Sequence, residues 1–390
     1  MPRALTMIDL FAGCGGMSLG FEGEGYRSIM AVEFDAHAAA TYVANRPHME
    51  GKVFCQDIAD VPTAEIPKAD LVIGGPPCQG FSNLGSKDVN DPRNKLWKEY
   101  LRFVNEADPK VFVLENVDRF RRSSEFDLLL READGGLLKN YVLEHALLVA
   151  SDYGVAQRRP RTIVIGTRRD IVDEHPKMGP ITPPKPTHAR VPDLLGLKEW
   201  ETVRSRIYDL PWDVQVTDLP TKEVKTIFDK PIPGPFTGLE IHVGRNPVPM
   251  SLQRYAHIHP GGGRHHLPDE LLSPCWRNKP KGTTDVMGRM RWDAPSPTIR
   301  TEFFKPEKGR YLHPQWNPAL HPRWNPDEPS NSVNRPITHL EAALLQDFPR
   351  EYKWYGTKVS IARQIGNAVP VGLARAIAFH VKSELESRGH

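Results

Sequence analysis

Cysteine is scarce in this chain: four residues in 390 (Cys14, Cys55, Cys78 and Cys275), none in Cys-x-x-Cys spacing. That spacing suggests neither a disulfide framework nor a paired-cysteine zinc module, and it suits a reducing compartment. Long apolar runs are missing too, so no segment is expected to span a bilayer. The opening Met1-Pro2-Arg3-Ala4-Leu5 is too short and polar for a signal peptide. The expectation is a soluble, cytoplasmic protein. Net charge is only +3 and points by itself to no polyanionic partner. Its distribution says more. Between Ile241 and Arg310 there are 12 Lys/Arg against 6 Asp/Glu, plus five histidines. Such a stretch either meets phosphates or is a solvated basic face.

Residues 1–170 read as alternating strands and helices. Strands are expected at Leu5–Leu10, Ser28–Val32, Val53–Cys55, Leu71–Ile73, Val111–Leu114, Tyr141–Ala150 and Thr162–Thr167. Helices are expected near His37–Asn45, Lys95–Glu106 and Phe126–Glu132. Short apolar strands alternating with helices imply an α/β fold, a mostly parallel sheet covered on both faces. After about residue 170 the composition changes: 26 of the 37 prolines lie between Pro176 and Pro336. That density opposes long helices and central strands, while Trp276, Trp292, Tyr311 and Trp324 argue for a small core. Regular helices return at Leu340–Leu345 and Val371–Leu385. The expected organisation is 1–170 catalytic and cofactor-binding, 171–334 target-recognising, and 335–390 returning to the first domain.

Two segments carry chemistry. In Leu71-Val72-Ile73-Gly74-Gly75-Pro76-Pro77-Cys78 an apolar strand is cut off by glycine and proline, which places Cys78 at the carboxyl edge of the sheet, where ligands gather. On this segment alone, a nucleophile and a buried structural thiol are both open. In Asp9-Leu10-Phe11-Ala12-Gly13-Cys14-Gly15-Gly16 a glycine turn links the first strand to the first helix and lets backbone approach a ligand. Glu33, 20 residues after Gly13 at the end of the second strand, suits a ribose. The dinucleotide fingerprint needs a third glycine where this chain has Ser18, which leaves another adenosine-containing cofactor. Asp57 is either a partner for the adenine amino group or a helix cap.

With Phe11-x-Gly13-x-Gly15-Gly16, Pro77-Cys78-Gln79, Glu115-Asn116-Val117, Gln157-x-Arg159-x-Arg161, Arg335-Pro336-Ile337-Thr338 and Gln364-Ile365-Gly366-Asn367-Ala368-Val369-Pro370 in this order, the chain resembles the cytosine-5 DNA methyltransferases. The resemblance implies a Rossmann-like domain for S-adenosylmethionine, a smaller target-recognition domain, and duplex DNA as substrate. It implies that Cys78 adds as a thiolate to carbon 6 of cytosine and makes carbon 5 nucleophilic. Glu115, at a strand end where partial burial favours a protonated carboxyl, would act at ring nitrogen 3. Arg161 would contact the cytosine oxygen and the backbone, with Arg159 buttressing it. No metal is required. For the cofactor, the resemblance implies Phe11 and Phe34 against adenine, Gly13 and Gly15 beside the amino-acid portion, and Glu33 on the ribose. Asp57, Pro77, Asn367 and Val369 complete the pocket.

A stacked cytosine hides its carbon 6, so the base must be flipped out. The segment Phe81–Arg93 is then expected to close over DNA. Ser82, Asn83 and Leu84 are candidates to fill the vacated stack, and Arg93 to anchor the loop on phosphate. Thr298-Ile299 resembles a Thr–aliphatic pair of the family's recognition domain. A zinc site from His257, His259, His265, His266 and Cys275 fits no standard spacing. The family also implies a bacterial restriction or defence setting, with a partner endonuclease, a monomer on DNA and association with the nucleoid. Three other readings stand beside this one. An RNA-directed relative would carry a Cys-Phe-Thr motif, which is not found. A non-catalytic DNA-binding protein would not need Cys78, Glu115, Arg159 and Arg161 together. A nicotinamide oxidoreductase leaves the Pro-Cys and Glu-Asn-Val elements unused.

Overall fold

The computed structural model describes residues 3–77, 92–192, 196–277, 285–316 and 334–390. Eight strands of the first half are β1 Thr6–Leu10, β2 Arg27–Val32, β3 Val53–Phe54, β4 Leu71–Gly74, β5 Val111–Val117, β6 Tyr141–Val149, β7 Gln157–Arg158 and β8 Pro160–Arg168. All but β7 join one sheet in the order β3-β2-β1-β4-β5-β8-β6. Strands β3, β2, β1, β4 and β5 run parallel, while β8 is antiparallel to both β5 and β6. The alternation of elements did not reveal that reversal, because β6 returns to β8 through a 3-10 turn (Ala150–Tyr153) and the short β7 rather than through an α-helix.

Side chains alternate between the two faces with the period of a strand. Met7, Leu71, Ile73, Val111 and Val113 enter one core. Ile8, Leu10, Val72, Phe112 and Leu114 enter the other. Helix α1 (Gly16–Glu22) and the last helix cover the first face; α2 (Ala36–Ala44) follows β2, while α3 (Pro92–Ala107) and α4 (Ser124–Gly135) cover the second. Asp35 caps α2, accepting from the amides of His37 and Ala38. Ser123 caps α4 through the Phe126 amide. The strand order reverses between β1 and β4. Such a switch point opens a crevice at the carboxyl ends of the strands.

Beyond α5 (Arg169–Glu174) the regular elements become short, as the prolines require: α6 (Val203–Ile207), α7 (Pro249–His257) and α8 (Pro274–Arg277). The ladders there are short and two-stranded, as between Val224–Ile227 and Lys230–Pro233, and a buried guanidinium adds to them. Arg289 is fully buried and donates to the carbonyls of Ile258, His313, Gln315 and Tyr255 at 2.5–2.8 Å, and to Asn334 Oδ1 at 3.1 Å. A local core of Tyr255, Ile258, Leu267, Leu271, Met287 and Leu312 surrounds it, with Trp276 packed alongside. Val203, Ile207, Met290, Ile299 and Tyr311 belong instead to a core shared with the C-terminal helices α9 (His339–Leu345), α10 (Lys358–Asn367) and α11 (Val371–Ser387). The proline-rich region and the C-terminal segment are therefore packed together. Helix α10 is an addition to the elements expected from sequence: Thr357 caps it through the Ser360 amide, and the motif 364–370 occupies its last turn and the link to α11.

Candidate active site

The crevice at the switch point is a cavity of about 830 Å³. The turn after β1 supplies Phe11 and Gly13, the end of β2 supplies Glu33 and Phe34, and the segment after β3 supplies Asp57. The end of β4 supplies Pro77, and the link from α10 to α11 supplies Asn367 and Val369. Glu115, Arg159, Arg161 and Thr298 form its other wall. Residues as far apart in the chain as Phe11 and Val369 therefore face one space. Gly15 does not line it. The residue caps α1 in the left-handed conformation, φ 88°, and its α-carbon faces Arg46. Gly16 lies on the wall because backbone comes too close for any side chain: a β-carbon there would stand 2.6 Å from the Val369 carbonyl. Cys78 and Ser82 lie outside the described residues, as do Asn83, Leu84 and the side chain of Arg93.

On the β2 side, the Glu33 carboxylate accepts from the Gly13 amide at 2.7 Å and the Asp35 amide at 2.8 Å. It thereby ties the glycine turn to the β2–α2 junction. Burial raises its pKa, and those amide bonds oppose the rise. Phe34 is 76% exposed, an unusual position for a large apolar ring, and it turns to the cavity. Asp57 accepts from the Ala59 amide at 2.9 Å and so caps a 3-10 turn while also lining the cavity. Phe11 carries a positive φ of 57°, a strained conformation for a bulky side chain at the mouth of a ligand turn. Sequence reasoning missed Asp9. It is 1% exposed and lines the same wall, and burial pushes its carboxyl up to about 7. Ser18 donates to it at 2.5 Å and contacts the Tyr42 hydroxyl at 2.8 Å. The serine that breaks the dinucleotide fingerprint therefore has a partner of its own, which Asp9 and Ser18, nine positions apart, did not announce. A glycine turn, an exposed ring and a buried carboxylate on one wall suit a nucleoside. The acids Asp9, Glu33 and Asp57 suit one that carries positive charge.

On the opposite wall, Glu115 lies within β5 and not at its end, because the strand runs on to Val117. Arg161 Nε sits 2.5 Å from Glu115 Oε1, with both side chains only 11–12% exposed. Arg159 is 2% exposed and donates to the Ile299 carbonyl at 2.7 Å and the Gly366 carbonyl at 2.9 Å. Burial, and then the neighbouring Arg161 charge, press its pKa well below the usual arginine range. It joins three distant segments at the cavity wall. Gln157 does the same two residues earlier: its amide donates to the Leu345 carbonyl at 3.0 Å and its oxygen accepts from the Ile299 amide at 2.9 Å. Residues Ser296–Pro297 pair with Gln157–Arg158, which presents Thr298 beside the arginines. Asn116 reaches across to the Pro76 carbonyl at 3.1 Å and so ties Glu115 to the segment leading into Cys78.

An open, mostly parallel sheet with a charged cavity at its switch point defines a Rossmann-like enzyme with a nucleoside-type cofactor. The family model for C-5 cytosine-specific DNA methylases matches residues 5–383, and the chain belongs to that family. It is 31% identical over 384 residues to the type II methyltransferase M1.HphI of Haemophilus parahaemolyticus, covering 96% of this chain and 86% of that protein. It is 30% identical over 410 residues to M.DdeI of Desulfomicrobium norvegicum, covering 98% and 90%. Among solved structures, a prophage-encoded protein of E. coli assigned as a DNA modification methyltransferase superposes with a TM-score of 0.67 at 24% identity, covering 98% of this chain and all of that one. The DNMT2 of Spodoptera frugiperda superposes with a TM-score of 0.61 at 17% identity. These two likenesses establish the fold. The family match makes the protein a DNA cytosine-5 methyltransferase.

Proposed function

We propose that the enzyme methylates carbon 5 of a cytosine flipped out of duplex DNA, through a covalent bond between Cys78 Sγ and ring carbon 6. The observation that carries this reading is the two-walled cavity: acids and an exposed ring on one side, the Glu115–Arg161 pair with Arg159 on the other. S-adenosylmethionine, when bound against the first wall, would supply an electrophilic methyl group. Phe11, Phe34, Glu33, Asp57, Pro77, Asn367 and Val369 would hold it there, beside the Gly13–Gly15 turn. The Cys78 thiolate adds to carbon 6, and the displaced electron pair makes carbon 5 the nucleophile that takes the methyl group. Glu115 shares a proton with ring nitrogen 3 and so stabilises the charge that develops in the ring. Arg161, released from Glu115 by the entering base, contacts the cytosine oxygen and backbone, and Arg159 holds its strand in place. Loss of the carbon 5 proton to a base then expels Cys78 and restores the aromatic ring.

The region 171–334 is assigned to target recognition, with Thr298, Ser82 and Arg93 as DNA contacts, and 1–170 with 335–390 to catalysis and cofactor binding. The relatives are named type II methyltransferases, which supports modification of self DNA beside a restriction endonuclease; a monomer acting in the cytoplasm on the nucleoid belongs to the same proposed reading. Incubation with duplex DNA carrying 5-fluorocytosine at the target tests the chemistry, because fluorine blocks the last elimination. The wild-type enzyme is expected to give a denaturation-resistant complex and Cys78→Ala none. A complex that survives Cys78→Ala would exclude this nucleophile. Bisulfite sequencing of an expression strain reads the target site.

A further inference from the structure

The glycine turn is held from behind by two side chains that belong to none of the motifs. Arg46, just after α2, is 2% exposed. Its Nε lies 2.7 Å from Glu22 Oε2, its Nη2 donates to the Gly15 carbonyl at 2.8 Å, and its Nη1 donates to the Tyr352 hydroxyl at 3.2 Å. The guanidinium also lies 4.3 Å from the centroid of the Tyr42 ring. Tyr352, itself 2% exposed, passes its O–H to the Cys14 carbonyl. Two consecutive carbonyls of the turn are thus gripped, Gly15 directly by Arg46 and Cys14 through the phenol. On the cavity side, the Gly13 amide is held by Glu33. The missing side chain of Gly15 is part of the same arrangement, since a β-carbon there would stand 2.4 Å from Arg46 Nη1.

A planar fork is what this place requires. One guanidinium reaches Glu22, Gly15 and Tyr352 in three directions, which the point charge of a lysine cannot do. The Glu22 carboxylate balances the buried charge, so the remaining donors are available to shape the backbone.

We propose that Arg46 and Tyr352 are positioning residues for the cofactor: they lock the Gly13–Gly16 turn in the conformation that binds S-adenosylmethionine. This rests on the reading that the cofactor occupies that wall. The test uses the full chain, with S-adenosylmethionine affinity from calorimetry and kcat and KM from transfer of labelled methyl groups to duplex DNA. Tyr352→Phe deletes one hydroxyl and leaves the packing. Loss of one hydrogen bond in the chain is expected to raise Kd and KM for the cofactor about fivefold. Arg46→Lys keeps the charge beside Glu22 and loses the fork, so its increase is larger. In both, kcat at saturating cofactor and the affinity for DNA stay at the wild-type values. A lowered melting temperature with unchanged cofactor Kd in Tyr352→Phe would show a purely structural role and overturn the proposal. Failure of the wild-type protein to bind S-adenosylmethionine would instead overturn the reading beneath it.

Discussion

Glu115 and Arg161 are joined across two antiparallel strands. Arg161 stands opposite Val117 and Glu115 opposite Ile163, so the pair is diagonal in the ladder, and Arg161 Nε still reaches Glu115 Oε1 at 2.5 Å. Diagonal neighbours on one face come within reach of long side chains. In sequence the two are 46 positions apart, in different motifs. Their pairing compensates two largely buried side chains at the cavity wall, and in the proposed mechanism an entering base competes for both.

Glu115→Gln preserves the shape and still accepts a hydrogen bond from Arg161, but it cannot share a proton with a ring nitrogen. Removing a general acid of this type costs a factor of about 10²–10⁴ in rate. The expected outcome in single-turnover methyl transfer is such a loss with DNA binding retained. A rate close to wild type would remove Glu115 from the chemistry.

Phe34 offers a cleaner probe of the cofactor wall, because an exposed ring contributes little to folding. Stacking of a base on an aromatic ring is worth about 1–3 kcal/mol, so Phe34→Ala should raise KM for S-adenosylmethionine about tenfold or more. Melting temperature and kcat at saturation should not move. An unchanged KM would mean that the ring does not touch the cofactor.

The buried Arg335–Glu341 pair sets a limit on acid stability. Arg335 holds both carboxylate oxygens of Glu341, at 2.7 and 2.8 Å, and both side chains are almost completely buried. Burial alone would raise the Glu341 carboxyl. The Arg335 charge, the neighbouring His313 and the Arg335 hydrogen bonds together outweigh it and hold the group at about 2, below its ordinary 4.5. A carboxyl lowered on folding contributes stability above its unfolded pKa and loses it as pH falls toward the folded value, here from about 4.5 toward about 2. Breaking such a pair costs about 3 kcal/mol or more, so Glu341→Gln should unfold at lower urea near neutral pH. The gap to wild type should narrow as pH falls through that window. A gap that stays constant would show that the carboxylate charge contributes nothing.

Much of the sheet was legible because its strands are apolar runs cut off by glycine and proline, as in Leu71–Pro77, and parallel strands buried on both faces need such runs. The direction of β8 was not legible, since Pro160–Arg168 has the same composition whichever way it runs. Asp57 shows a different limit. Its spacing after β3 fits a cofactor contact and a cap equally well, and in the structure it caps a turn while facing the cavity. Gly15 was grouped with the cofactor turn by spacing, yet its open side belongs to Arg46.

The sequence by itself determined the family, because Pro77-Cys78-Gln79, Glu115-Asn116-Val117 and Gln157-x-Arg159-x-Arg161 stand in the order that resembles the cytosine-5 DNA methyltransferases, and the family model matches residues 5–383. It also determined where the regular α/β part ends, since proline cannot enter central strands. Only the tertiary structure decided which groups meet. Arg159 finds the carbonyls of Ile299 and Gly366, and Arg46 finds Gly15 and Tyr352, across separations of up to 306 positions. Those contacts are hydrogen bonds to backbone and to a phenol, and a carbonyl has the same signature at every position of the chain. Periodicity reports which face of an element is buried, but the identity of the opposing group is fixed when the cores close.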